Sequence, residues 1–179
     1  VGGGSGVVIS FLATFLRSKG IPATFIATDL NHHACHSIQQ TAKNNKVNIE
    51  IVNCDLTTPL NSRLACQVDI LIFNPPYVPT DHSEMVSAQQ SYHTNTTQHL
   101  IAASWAGGVR GREVLDRFLP CIPMLLSRCG RCYVVVVKEN EPQALISFMR
   151  QKYKLKGTVV AERFSISEHL QIIRFEWES

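Results

Sequence analysis

An α/β sandwich built on a largely parallel sheet is the fold class this sequence predicts, and three observations predict it. Four near-continuous apolar runs recur along the chain: "ATFIATDL" (23–30), "NIEIVNCDL" (48–56), "VDILIFNP" (68–75) and "CYVVVVKE" (132–139). Runs of this kind mark strands covered on both faces, as in a parallel sheet. Helical stretches lie between them, and helices on both faces of such a sheet give three layers. The chain ends differently. "GTVVAERF" (157–164) and "LQIIRFEWE" (170–178) are joined by a gap that suits an antiparallel hairpin rather than a crossover.

The helices follow from their own signals. "VVISFLATFLRSK" (7–19) reads as the first, and "NHHACHSIQQTAKNN" (31–45) as the second, with Asn31 as its N-cap. "REVLDRFLPCIPMLLS" (112–127) carries Val114, Leu115, Phe118, Leu119 and Ile122 on one face, and Pro120 and Pro123 predict a kink or a split. "EPQALISFMRQKY" (141–153) reads as the last helix. The segment 80–104 interrupts the alternation: it is polar, lacks an apolar pattern and exceeds an ordinary loop, so it reads as a flexible flap. Val1-Gly2 reads as the end of a first strand, and residues preceding Val1 are expected to supply its body.

Bulk properties narrow the class. A length of 179 residues suits a single domain over 1–179. Hydrophobic residues at 45% and charged ones at 17% exclude a disordered chain. A net charge of +3 does not demand nucleic acid. No apolar run approaches the roughly 20 residues of a membrane-spanning helix, so no membrane association is expected. The six cysteines, at 35, 54, 66, 121, 129 and 132, are scattered through strands and helices. Scatter of that kind predicts reduced thiols in a cytoplasmic protein, with a nuclear pool left open. Cys129-Gly130-Arg131-Cys132 lacks a second pair and reads as a turn entering a buried strand. His32-His33-Ala34-Cys35-His36 reads as the opening of a helix. No metal site is expected from either.

Sheets of this class bind ligands at the carboxyl ends of their strands. The glycines of "VGGGSGVV" (1–8), Asp29, Asp55 and Asn74 all fall at such ends. Glycines in a strand-to-helix turn let backbone approach a ligand and offer it helix N-terminal amides. The dinucleotide spacing G-x-G-x-x-G fails in every register, which argues against a nicotinamide cofactor. The spacing present, Gly2-x-Gly4-x-Gly6, resembles the S-adenosylmethionine loop of Rossmann-like methyltransferases. Asp29, followed by Leu30, can accept both hydroxyl hydrogens of a ribose. Asp55 can accept from an adenine amino group while Leu56 packs nearby. Each aspartate taken singly also fits a helix cap or a turn.

Asn74-Pro75-Pro76-Tyr77 is the sharpest signal. Two adjacent prolines cannot continue a sheet ladder, because neither has an N–H to donate. The nitrogen of an amide or aromatic amine is a poor nucleophile because its lone pair is delocalised. Two acceptors that hold both N–H bonds pull that nitrogen toward tetrahedral geometry and aim its lone pair at an electrophilic methyl. The Asn74 side-chain oxygen and the Pro75 carbonyl can supply them. Pro76 restricts residue 75 to extended geometry, which fixes the direction of that carbonyl. Tyr77 can stack on the planar group.

These residues resemble the HemK-like glutamine methyltransferases that modify the GGQ glutamine of translation release factors, and most closely their eukaryotic cytosolic branch. The resemblance covers essentially the whole sequence through "GGGSGVV", "TDLN", "VNCDL", "DILIFNPPYV", "ASWAGGVRGREVLDRFLP" and "VVVKENEPQ". It implies a Rossmann-like, mostly parallel seven-stranded sheet with a C-terminal antiparallel hairpin. It also implies S-adenosylmethionine at Gly2, Gly4, Gly6, Asp29, Leu30, Asp55 and Leu56, bordered by Asn74, with the target amide at Asn74, Pro75, Pro76 and Tyr77. The partners it implies are a class I release factor as substrate and a small zinc-binding activator subunit pairing with the edge strand 49–54. A bare apolar edge of that kind invites strand addition.

Other readings keep the same turn. An adenine-amino methyltransferase would have to hold a phosphate backbone and an extruded base. Yet no Lys or Arg occurs between Arg63 and Arg110, which makes a nucleic-acid acceptor the poorer fit. A protein-lysine or small-molecule acceptor stays open, and a cofactor-binding scaffold without chemistry is the rival from another class.

Overall fold

In a computed structural model the chain opens α-β-α-β and closes on a pair of antiparallel strands. The structure describes residues 1–81, 105–164 and 168–178. The elements are α1 (Val7–Ser18), β1 (Ile26–Asp29), α2 (His32–Asn44), β2 (Glu50–Asn53), β3 (Val68–Phe73), α3 (Glu113–Phe118), α4 (Cys121–Leu125), β4 (Leu126–Val137), α5 (Pro142–Tyr153), β5 (Leu155–Phe164) and β6 (His169–Trp177). They fall into two compact units, Val1–Pro59 and Leu60–Ser179. The flap expected at 80–104 lies, from residue 82 onward, outside the described residues. Among the described residues no helix is long and apolar enough to cross a membrane.

The first unit is a β-α-β arrangement. β1 and β2 pair in parallel, with Asp29 opposite Asn53. Asn31 caps α2 as its sequence position predicts, its side chain accepting from the His33 amide at 2.9 Å. Ala27 of β1 and Ile38 and Ala42 of α2 form the buried centre. Upstream of α1, the Gly3 amide donates to the Thr28 carbonyl at 3.0 Å, tying the start of the chain to β1.

The second unit holds a mixed four-stranded sheet in the order β3-β4-β6-β5. β3 and β4 are parallel, whereas β4 with β6 and β5 with β6 are antiparallel, so the chain ends on the expected hairpin. Its core is formed by Phe73, Phe118, Leu115, Ile122, Val134, Val136, Leu145, Met149, Ile173 and Phe175, all buried. Phe73 at the end of β3 packs on Phe118 with ring centroids 4.5 Å apart. That contact anchors the strand end from which the Asn-Pro-Pro-Tyr turn departs.

The stretch 112–127 splits, as its prolines predict, into α3 and α4, with Pro120 as the N-cap of α4. Pro123 falls in the first turn of α4, where amides have no intrahelical acceptor and a missing N–H costs little. Cys129-Gly130-Arg131-Cys132 is not a turn before a strand. β4 begins at Leu126, and the four residues lie within it, at a register shift against β3 between Val68 and Ile70. The shift explains Gly130: a Cβ there would sit 2.5 Å from the Val68 carbonyl. Cys129 is exposed and Cys132 fully buried, so the two thiols do not share an environment. Burial pushes the Cys132 thiol far up.

Candidate functional site

In the first unit the glycine loop is built by backbone geometry. Gly4 has φ +53° and Gly6 φ +76°, a region that side-chain-bearing residues enter only with strain. A Cβ on Gly6 would also come within 2.8 Å of the Ile38 Cα. Gly6 is the N-cap of α1, which carries neither a side-chain cap nor an acidic residue in its first turn. A helix start of that kind is suited to a ligand with an anionic group.

Asp29 is the organising residue here. Its Oδ2 accepts from the Gly4 amide and its Oδ1 from the Asn31 amide, both at 2.9 Å. A carboxylate offers about four lone-pair positions, so these two bonds leave one on each oxygen. That remainder is what a vicinal diol needs. Asn53 holds the turn below it: its Nδ2 donates to the carbonyls of Asp29 at 2.8 Å and Leu30 at 2.9 Å. The Cys54 amide donates to the same Asp29 carbonyl at 3.0 Å. The Asp55 carbonyl accepts from the amide and hydroxyl of Thr58, at 3.2 and 2.9 Å. Leu56, at φ 52°, turns the chain there.

Two thiols line these strand ends. Cys35 is raised above the usual thiol value by burial and then by the Asp29 charge, and Cys54 by burial and then by Asp55. Both therefore stay protonated at neutral pH and are poor nucleophiles. Among the described residues no group of three or more His, Cys, Asp or Glu could hold a metal ion.

In the second unit the acceptor turn follows β3 directly. Asn74 is exposed, Pro75 buried, and Pro76 and Tyr77 half-buried. The turn is clamped by residues 105–111. The Val78 amide donates to Trp105 O at 3.0 Å, and the Gly107 amide to Val78 O at 2.8 Å. Thr80 and Gly108 exchange two bonds, at 3.1 and 2.9 Å. Glycine is compulsory at 111, where a Cβ would overlap the Tyr77 carbonyl oxygen and where φ is +65°. Burial, and secondarily the charge of Glu168, push the Tyr77 phenol above its ordinary value. It stays neutral and apolar enough to stack on a planar group.

Gly4, Gly6 and Asp29 stand out in the sequence, and the structure bonds Gly4 to Asp29. The Asn-Pro-Pro-Tyr turn stands out as well, but not what holds it. Asn53, Thr80, Gly111 and the fully buried Asn140, whose Nδ2 reaches the Tyr77 carbonyl at 3.1 Å, were missed as site residues. The glycines of "AGGVRG" were the signal available for Gly111.

A glycine loop with its partner carboxylate, and a rigid donor-free turn at the end of a parallel strand, together define a Rossmann-like methyltransferase. The description "methyltransferase small domain" matches residues 1–141, and the chain belongs to that family, within its HemK-like branch. The human protein named methyltransferase HEMK2 is 43% identical over 175 residues, covering 98% of this chain and 75% of the human one. The Schizosaccharomyces pombe protein named eRF1 methyltransferase catalytic subunit mtq2 is 34% identical over 183 residues, covering 97% of this chain and 73% of its own. The fold resembles that of the E. cuniculi Mtq2–Trm112 complex, described as responsible for methylation of the eRF1 translation termination factor. That match has a TM-score of 0.59, 21% identity and 96% of each chain covered.

S-adenosylmethionine is the methyl donor of this class. The first-unit residues fit it: left-handed glycines for close approach, an uncapped helix start for its carboxylate, and free lone pairs on Asp29 for its ribose.

Proposed function

We propose that the chain transfers a methyl group to the side-chain amide nitrogen of the GGQ glutamine in a class I release factor. The observation that carries the reading is the Asn74-Pro75-Pro76-Tyr77 turn at the carboxyl end of β3, held by the 105–111 segment. The names of the fission-yeast relative and of the E. cuniculi complex, both tied to eRF1, support the acceptor. The absence of Lys and Arg between Arg63 and Arg110 favours a protein acceptor over a phosphate backbone.

When bound, the cofactor supplies an electrophilic methyl group on a sulfonium sulfur. The chain's own residues do the rest. The glycine loop and the α1 start would hold the cofactor's amino-acid end, Asp29 its ribose and Asp55 its adenine amino group, with Leu30 and Leu56 nearby. The Asn74 side-chain oxygen and the Pro75 carbonyl accept the two N–H bonds of the glutamine amide. Tyr77 stacks on that amide and restricts its rotation. Held in this way, the amide lone pair is no longer fully delocalised and would be free to take up the methyl group that the bound cofactor would supply. The alkylated nitrogen then loses a proton to water, so no base of the chain is needed beforehand. Preorganised polar contacts of this type are worth about 10²–10³ in rate each.

A small zinc-binding subunit that adds a strand to β2 completes the proposal. β2 pairs with β1 on one side, its four side chains are half-exposed or exposed, and it falls within the apolar segment 49–54. The Glu50 and Cys54 amides donate to the carbonyls of Phe25 and Asp29, on the β1 side, so by alternation the Ile51 amide faces the open edge. Ile51→Pro should therefore abolish co-purification with such a subunit; undiminished recovery would remove the strand-addition model.

The proposal is tested with labelled S-adenosylmethionine, a purified release factor and the small subunit. Label should appear on the wild-type factor and vanish when its GGQ glutamine is changed to alanine. Label that survives the change would overturn glutamine as the acceptor.

A further inference from the structure

We propose that Asn140 is a positioning residue for methyl transfer, a buried amide that fixes the far end of the acceptor turn. The inference rests on the reading of Asn74 to Tyr77 as that turn. Asn140 is fully buried, at 0% exposure, and both polar atoms of its side chain have partners. Its Oδ1 accepts from the Val137 amide at 2.8 Å, which ties it to the end of β4. Its Nδ2 donates to the carbonyls of Arg110 at 2.8 Å, Tyr77 at 3.1 Å and Gly111 at 3.3 Å. One side chain thus joins three segments that are far apart in sequence: the end of β4, the 109–111 turn and the last residue of the acceptor turn.

The chemistry demands asparagine. A side-chain amide offers one acceptor oxygen and two donor hydrogens on a short stem, and three carbonyls converge on those hydrogens. Ionised aspartate would offer no donor, and leucine would leave one amide and three carbonyls unsatisfied in a buried place. The backbone around it is strained as well. Arg110 at φ 56° and Glu141 at φ 55° are non-glycine residues in the left-handed region, bridged by a 2.9 Å ion pair. Such conformations persist only where the surroundings over-determine them, and the Arg110 carbonyl is one that Asn140 holds.

The link to the reaction runs through the prolines. Pro75 and Pro76 have fixed φ, so the turn moves as a stiff piece and a shift at the Tyr77 carbonyl is passed back to the Pro75 carbonyl. That carbonyl is the acceptor whose direction matters. A misplacement of about 1 Å in such a group can cost about 10² in rate. The hydrogen-bond partners of the Asn140 side chain are Val137, Tyr77, Arg110 and Gly111, all in its own unit, so cofactor affinity should not follow the rate.

The test compares Asn140→Ala and the milder Asn140→Ser with Met149→Ala, a buried α5 substitution with no bond to the turn. Each is assayed as the full chain with its small subunit, below the melting temperature of the least stable variant. Three quantities are measured: single-turnover transfer at saturating cofactor and acceptor, cofactor Kd, and Tm. We expect both Asn140 variants to lose about 10–10²-fold in transfer, with cofactor Kd within about twofold and Met149→Ala near wild type at similar Tm. If Asn140→Ala does not fold, Asn140→Ser alone carries the comparison. Loss no greater than that of Met149→Ala, or a Kd that weakens in step with the rate, would overturn the inference. Asn74→Ala in parallel separates the failures: a wild-type rate there would overturn the acceptor-turn reading itself.

Discussion

The glycine-loop region and the acceptor turn solve opposite problems. The first gathers donors. Positive-φ glycines bring backbone N–H groups close to a ligand, and one carboxylate, Asp29, holds the loop while keeping lone pairs in reserve. The second removes donors. Two prolines clear N–H groups from the turn so that the acceptors of Asn74 and Pro75 face a substrate amide, and the framework that holds it sits behind, in Asn140 and Gly111. The difference teaches that the first region is tied at Asp29 by bonds spanning 25 positions or fewer and acts on cofactor affinity, whereas the second depends also on a support 63 positions away and acts on the rate.

The comparison can be broken most forcefully at Gly111. An alanine there must adopt a left-handed backbone and overlap the Tyr77 carbonyl, at a combined cost of about 2–5 kcal/mol. Gly111→Ala should lower the melting temperature and reduce transfer at least as much as Asn74→Ala. A variant with wild-type Tm and rate would show that the turn is not clamped as described.

Asp29→Ala comes next. Charge-assisted bonds of this kind are worth about 1.5–3 kcal/mol, so cofactor Kd should rise about 10–100-fold by calorimetry. Transfer at saturating cofactor should fall much less. An equal fall in both would erase the distinction between the two regions.

The smallest effect concerns Cys35. Burial and the Asp29 charge hold its pKa above the ordinary thiol value of 9.0, so the thiolate fraction at a given pH is low and rises only toward and beyond that value. Alkylation followed by mass spectrometry from pH 7 to 9 should label the exposed Cys66 and Cys129 first. Asp29→Asn should speed Cys35 labelling a few-fold, since one of the two raising causes is removed. Unchanged labelling would mean that the charge does not reach the thiol.

How much of this was legible in the sequence follows from the same contrast. The order of elements, the terminal hairpin, the Asn31 cap and the proline split of 112–127 all rest on signals within a few residues, and all are present. The glycine loop and Asp29 were legible because their bond joins two strand ends that periodicity alone places at the same edge. The supports of the acceptor turn were not. Asn140 and Tyr77 are 63 positions apart, and an asparagine after a strand reads as an ordinary turn residue until its three carbonyl partners are known. Gly130 likewise reads as part of a turn, because a register shift within a strand leaves no periodic mark beyond the glycine itself.

The central claim is that Asn74 acts on the acceptor amide rather than on cofactor affinity, and Asn74→Ala tests it most directly. Single-turnover transfer to the release factor and cofactor Kd would be measured on the same preparation. The account predicts a rate lowered about 10²–10³-fold with Kd changed no more than about threefold. A Kd weakened by the same factor as the rate would contradict it, and would make Asn74 a cofactor ligand first.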